Sequence, residues 1–235
     1  MKNRLHLLSF VNKLYQIVHK FKITLDIMYH LVYNTSMTNK IQTRGRPKAF
    51  DETEALTSAM HYFWEHGYDN TSLDNLLEVM HIKKSSFYAT FKSKEELFSR
   101  CIDLYQEHSL DFLQTLNKEV GPKQTLLALT AHTIQELEEF GKVKGCLLIN
   151  SGQECYNKYP QLSTKITHEF NTFRSIFSKL VKEAQQLGEI KSTKDASIIA
   201  GRYMNTLNGL VVTIQAGATQ ELIDDLVESL KEILE

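Results

Sequence analysis

From Asp51 onward, apolar residues recur every three or four positions, the spacing that places them on one face of a helix. Ala55, Leu56, Ala59, Phe63 and Trp64 make the first such face. Asp51 and Glu54 stand at capping-box spacing before it, and Gly67 supplies a stop. Thr71 and Asp74 open a second helix with Leu73, Leu76, Leu77 and Met80 inside. Phe87 and Phe91, four apart, anchor a third. Ser93 and Glu96 form a full capping box for a long helix from about Lys94 to Leu116. Further helices are predicted at 123–140, 145–157, 160–187, 194–216 and 220–234. Pro47, Pro122 and Pro160 all fall outside helix interiors, and Gly188 ends the long segment at 160–187. No segment alternates with period two. The expected fold is all-α, about nine helices, with a three-helix N-terminal domain and a helical C-terminal domain.

Residues 1–36 break this regularity: Leu, Ile, Val, Phe and Tyr are mixed with Lys and His without sorting onto one face. Met37 then begins a polar, basic lead-in. We expect Met37 to be the biological start and 1–36 to be an upstream extension; the rival is a basic amphipathic helix that touches membrane. The expected divisions are 1–36 as extension, 37–50 as basic arm, 51–93 as helix-turn-helix domain and 94–235 as effector-binding and dimerisation domain.

Charge changes the picture only when it is read locally. The whole chain carries a formal net charge of -1, which by itself argues against a nucleic-acid binder. Yet Arg44, Arg46 and Lys48 form one basic cluster, and Lys83, Lys84, Lys92 and Lys94 form another with no acid between them. Phosphate is contacted by local charge, not by the total. Three cysteines, Cys101, Cys146 and Cys155, fit neither a zinc spacing nor a disulfide framework and suit a reducing cytoplasm. No apolar run reaches membrane-spanning length, no signal peptide is expected, and neither is stable membrane association.

Thr71 to Lys94 therefore reads as two short helices joined by a tight turn, the second carrying polar residues that packing alone does not need. With Phe87 and Phe91 turned inward, Lys84, Ser85, Ser86, Tyr88, Ala89 and Thr90 surround the remaining surface. Short side chains at a helix N-terminus let the backbone approach a groove, and free N–H groups there favour phosphate. Lys83 and Lys84 add charge, the Tyr88 hydroxyl can bond a phosphate, and Ala89 and Thr90 can meet a thymine methyl. Lys94 can hold the backbone on the far side, and Thr71, opening the preceding helix, is counted with these DNA-facing residues. Arg44-Gly45-Arg46 can lie in a narrow A·T-rich minor groove. The bland alternative is a solvated, mildly basic helix in a three-helix bundle.

The stretch from Arg44 to Phe98 resembles the N-terminal domain of the TetR/AcrR family of bacterial transcriptional regulators. The resemblance is carried by Ala55, Ala59, Phe63, Gly67, Tyr68, Thr71, Ser86, Tyr88, Phe91, Lys94, Leu97 and Phe98. It continues more weakly through Gly145–Asn150 and Leu207–Leu210. It implies a homodimeric repressor that leaves a palindromic double-stranded operator when a small-molecule effector binds its C-terminal domain. Lys83, Lys84, Ser85, Ser86, Tyr88, Thr90 and Lys94 match the family's DNA-facing positions. His81 and Ser85 depart from it, each standing where Gly is common; His81 would then take a left-handed backbone conformation.

In the second domain, Gly201, Asn205, Asn208, Gly209, Val212, Leu222, Leu226 and Leu230 are the expected dimer interface. Burial in the chain's own core is the alternative for these apolar helices. Tyr105, His108, Phe112, His132, Phe173, Phe177 and Tyr203 are candidate effector contacts, lining a mostly apolar pocket. Cys146 sits at a helix start after Lys142 and Lys144, a setting that favours thiolate, so a thiol-based electrophile or redox sensor is carried as an alternative. Another is a ligand-binding protein that has lost specific DNA binding. His61 with Glu65, and His132 with Glu136, have metal-compatible spacing but no third ligand nearby, so no metal site is expected. No phosphate loop, nucleophile elbow or paired-acid motif occurs; neither an enzyme nor a cofactor is expected.

Overall fold

The computed structural model describes residues 50–235. The expected extension at 1–36, and Arg44 and Arg46 of the basic arm, lie outside the described residues. Within them the chain forms nine helices and no strand. Helix α1 spans Glu52–His66, α2 Leu73–Val79, α3 Lys84–Phe91, α4 Lys94–Val120 and α5 Pro122–Phe140. Helix α6 spans Leu147–Cys155, α7 Pro160–Gln186, α8 Ala196–Gln215 and α9 Gln220–Ile233.

The caps explain why the helices begin where they do. Asp51 accepts from the N–H groups of Thr53 (2.9 Å) and Glu54 (3.1 Å), which opens α1. Ser93 Oγ accepts from Glu96 N–H at 3.0 Å, which opens α4. Helix α2 departs from the expected start: Ser72 caps it, in a reciprocal box with Asn75. Thr71 is turned inward instead, its hydroxyl donating to the Gly67 carbonyl at 2.6 Å. That bond satisfies a carbonyl at the end of α1 that the helix leaves open.

The contacts divide the chain into two units. One gathers the described residues up to Ser109 with Leu147–Thr167; the other gathers Leu110–Cys146 with His168–Glu235. The division therefore falls inside α4 and α7, and Leu147–Thr167 groups with the first three helices, whereas sequence placed everything after 93 in one domain.

In the first unit, Ala55, Ala59, Met60 and Phe63 of α1, Leu76 of α2, Phe87 and Phe91 of α3, and Leu97 and Phe98 of α4 form one buried core. The Phe98 ring lies 4.7 Å from Phe63 and 4.9 Å from Tyr68. Each of the larger side chains, from Met60 to Phe98, contributes about 1.5–3 kcal/mol by leaving water. Arg100 ties the pieces further, bonding Glu52 at 2.5 Å with its guanidinium 5.0 Å from the Phe91 ring centre. Helix α6 packs on α1 in the same unit.

In the second unit, α8 packs on α9, and α9 also packs on α5. At its centre lies Tyr203, fully buried. Its hydroxyl donates to the Leu126 carbonyl and meets Thr130 Oγ1 at 2.8 Å, so the one polar atom of this aromatic is satisfied. Burial pushes the Tyr203 hydroxyl pKa far above its ordinary value.

Candidate nucleic-acid interface

The interface is built on the turn between α2 and α3. Helix α2 ends in a Schellman motif: Ile82 N–H bonds Leu77 O at 3.2 Å and His81 N–H bonds Glu78 O at 3.1 Å. The motif requires a left-handed residue, and His81 supplies it with φ 53°. The left-handed backbone expected from the sequence is therefore present, and its steric cost falls on a residue with a Cβ.

Helix α3 then runs with its apolar side inward. Phe87 and Phe91 are fully buried, while Lys84, Ser85, Tyr88 and Ala89 are exposed. Ser86 and Thr90 lie half-buried at the margins of that face. Lys83 occupies the N-cap position without a side-chain cap bond. The first turn of α3 thus presents N–H groups and two lysines, a pairing of dipole and charge suited to a phosphate. At the other end, Ser93 N–H bonds Phe91 O at 2.6 Å around Lys92, whose φ 62° and ψ -50° define a tight γ-turn. That turn sends the chain directly into α4.

Two expected DNA-facing residues are placed otherwise. Thr71 is buried, with its hydroxyl committed to Gly67. The hydroxyl therefore braces the head and does not face a groove. Lys94 is half-buried, its ammonium 4.3 Å from the Tyr68 ring centre, a cation–π contact. Burial lowers its pKa, against the pull of Asp69 and Glu154.

The remaining expectations divide. Phe173, Phe177 and Tyr203 share the second unit's core, with the Phe177 and Tyr203 rings 6.1 Å apart. Phe112 is half-buried on α4, but His132 is exposed, on the solvent side of α5, and is corrected as an internal contact. Tyr105 and His108 group with the first unit, where the Tyr105 ring meets Trp64 edge-on at 5.1 Å. A polar cleft of about 110 Å³ in that unit is lined by Ser93, Glu95, Glu96, Ser99, Gln161 and Leu162, none of them a candidate effector contact.

Of the dimer candidates, Asn205, Val212 and Leu222 are exposed, and Gly201, Asn208, Gly209 and Leu226 are half-buried. Leu230 is completely buried in the chain's own core and is corrected: it can offer nothing to a partner.

The cysteines also separate. Cys101 and Cys155 are buried; burial drives the Cys101 thiol well up and pushes Cys155 up to about 11. Burial also keeps both thiols away from solvent. Cys146, half-buried, directly precedes α6. Among the described residues no helix is long and apolar enough to cross a membrane.

Residues that sequence reasoning missed surround the turn after α1. Glu154 Oε2 accepts from the N–H groups of Tyr68 (2.7 Å) and Asp69 (3.1 Å). Lys158 Nζ bonds Asp69 Oδ2 at 2.6 Å, and the Tyr159 hydroxyl donates to Asp69 Oδ1 at 2.9 Å. These partners stand 85–90 positions apart, and nothing local in the sequence marks them.

A short polar helix, presented by two buried phenylalanines after a left-handed turn, defines a helix-turn-helix DNA-binding regulator. Sequence comparison agrees. The profile of bacterial regulatory proteins of the tetR family matches residues 55–101, and that of the tetracyclin repressor-like C-terminal domain matches residues 122–230. The chain belongs to the TetR family of transcriptional regulators. The HTH-type transcriptional repressor ComR of Escherichia coli K12 is 27% identical over 182 residues, covering 77% of this chain and 87% of ComR. The HTH-type transcriptional regulator YezE of Bacillus subtilis is 28% identical over 180 residues, covering 76% of this chain and 92% of YezE. A cysteine mutant of the TetR family regulator CifR, complexed with 26-bp operator DNA, superimposes with a TM-score of 0.68 at 26% identity. That match covers 81% of this chain and all of that one.

Proposed function

We propose that the protein acts as a homodimeric repressor, released from a palindromic operator when a small molecule binds its C-terminal domain. The observation that carries the dimer is the outer face of α8 and α9. Ile198, Val212 and Leu222 are exposed there at 49%, 42% and 45%. Gly201 and Gly209 stand on the same helix, and a Cβ added at either would meet open space. Apolar side chains separated by small residues suit close approach by a second copy, and a two-fold dimer presents two α3 helices to the two halves of a palindrome. ComR is a transcriptional repressor, which supports the same role here. The proposal assigns the chain binding, not catalysis, in the cytoplasm where bacterial DNA lies.

The test is the mass of the purified chain in solution beside its footprint on DNA. A dimer that protects an inverted repeat is expected, with Val212→Arg giving a monomer that no longer protects both halves. A wild-type monomer with full operator affinity would overturn the proposal. A thiol-sensing reading through Cys146 has one supporting observation, its position just before α6, and predicts that Cys146→Ser abolishes release by electrophiles while leaving operator binding intact.

A further inference from the structure

We infer that Glu154 is a positioning residue for DNA recognition: its carboxylate fills an anion nest in the turn after α1 and fixes how the helix-turn-helix is held. The inference rests on the DNA-reading function and names a residue remote in sequence on which it depends.

Consecutive backbone N–H groups that converge on one point form a concavity suited to an anion. Tyr68 and Asp69 converge in this way, and both donate to one carboxylate oxygen, Glu154 Oε2. Gly67 makes the approach possible. Its φ of 81° suits glycine, and a Cβ there would fall onto Glu154 Oε1. The nest is thus occupied from within the chain.

A second set of contacts closes over the same turn. After α6, Asn157 takes a left-handed conformation with φ 63° and turns the chain back. Lys158 and Tyr159 then reach the two oxygens of Asp69. The Tyr159 ring also meets Tyr68 edge-on at 4.8 Å, while Lys94 covers the Tyr68 ring. Tyr68 is itself core, packed on Phe63 and Phe98. Tyr68, Phe63 and Phe98 thus join the 67–69 turn to α1 and α4, and α3 runs directly into α4 through the Lys92 turn.

None of these groups lies on the exposed face of α3, so Glu154 acts through geometry. Its loss is expected to change affinity for the correct sequence without changing the number of phosphates engaged. Direct phosphate contacts behave differently, because each one removed lowers the salt dependence.

The experiment uses the full chain and a duplex operator selected from a random library by the wild-type protein. Amide hydrogen exchange at Tyr68 and Asp69 is measured alongside affinity for that operator and for an unrelated duplex, each at several salt concentrations. Glu154→Ala is expected to raise exchange at both amides and weaken operator binding, each on the order of tenfold, with unrelated-duplex affinity and salt slope unchanged. Glu154→Gln, which keeps one acceptor, is expected to restore part of both. Tyr159→Phe removes one exposed hydroxyl, leaves the core intact, and is expected to shift both in the same direction by less. Unchanged amide exchange in Glu154→Ala, or free exchange with wild-type operator affinity, would overturn the inference. Equal loss on both duplexes would also overturn it, as the mark of general destabilisation. If the wild-type chain selects no duplex, the DNA-reading function fails first and the inference falls with it.

Discussion

At the residue scale, Thr71 and His81 show how local chemistry decides between look-alike roles. Thr71 has the residue type of a helix cap and of a phosphate contact, yet it serves as neither. The vacant carbonyl of Gly67, four residues back, captures its hydroxyl first. Thr71→Val should therefore cost about 1 kcal/mol of folding stability and leave the salt slope of DNA binding unchanged. Denaturant unfolding and salt titration check the two halves; a lower slope would return Thr71 to the DNA surface. His81 presents the converse case. Its left-handed backbone is required by the Schellman motif, but its Cβ makes that conformation costly. His81→Gly should stabilise the head by about 0.5–1 kcal/mol, after the extra unfolded-state freedom of glycine is offset. A lower melting temperature in that variant would contradict this account of the turn.

At the element scale, the helices were legible where signals are local. Asp51, Ser93, Pro122 and Pro160 set helix starts within a few residues, and Phe87 with Phe91 gave the inner side of α3. What escaped was long-range. No pattern around Asp69 reveals Lys158 and Tyr159, because the fold supplies their proximity after 89 and 90 intervening steps of sequence. Leu230 illustrates the same limit: the apolar stripe of α9 is visible, but not which of its residues face inward.

The clamp on Asp69 has a pH signature. Hydrogen bonds from Lys158 and Tyr159 hold the Asp69 carboxyl below its ordinary pKa. Because the folded-state value is the lower one, the unfolded chain binds more protons between the two. The stabilisation is therefore complete above the ordinary carboxylate range and is lost as pH falls through the depressed folded value. Acid unfolding of Asp69→Asn should show a shallower pH dependence than wild type below about pH 4. Identical acid profiles would show that the contact does not persist in solution.

At the scale of the whole molecule, a net charge of -1 conceals the function because charge is segregated. The exposed side of α3 carries Lys84 beside Ser85, Tyr88 and Ala89, and Lys83 precedes it. Lys83→Ala and Lys84→Ala should each weaken binding to any duplex and lower the salt slope by roughly one. Ser85→Ala and Tyr88→Phe alter the exposed polar face proposed to enter the groove. The family was legible from the residues of α1 to α4. The two-unit organisation was not, because Leu147–Thr167 lies within the stretch matched by the C-terminal domain profile while grouping in space with the first helices.

The account stands or falls on whether α3 reads sequence. The most direct measurement is selection from a random duplex library by the full chain, run in parallel with the double variant Ser85→Ala, Tyr88→Phe. The account predicts enrichment of one inverted repeat by the wild type, and a relaxed or altered consensus at matching positions in both half-sites for the variant. No enrichment by the wild type, or the same consensus from both proteins, would contradict it.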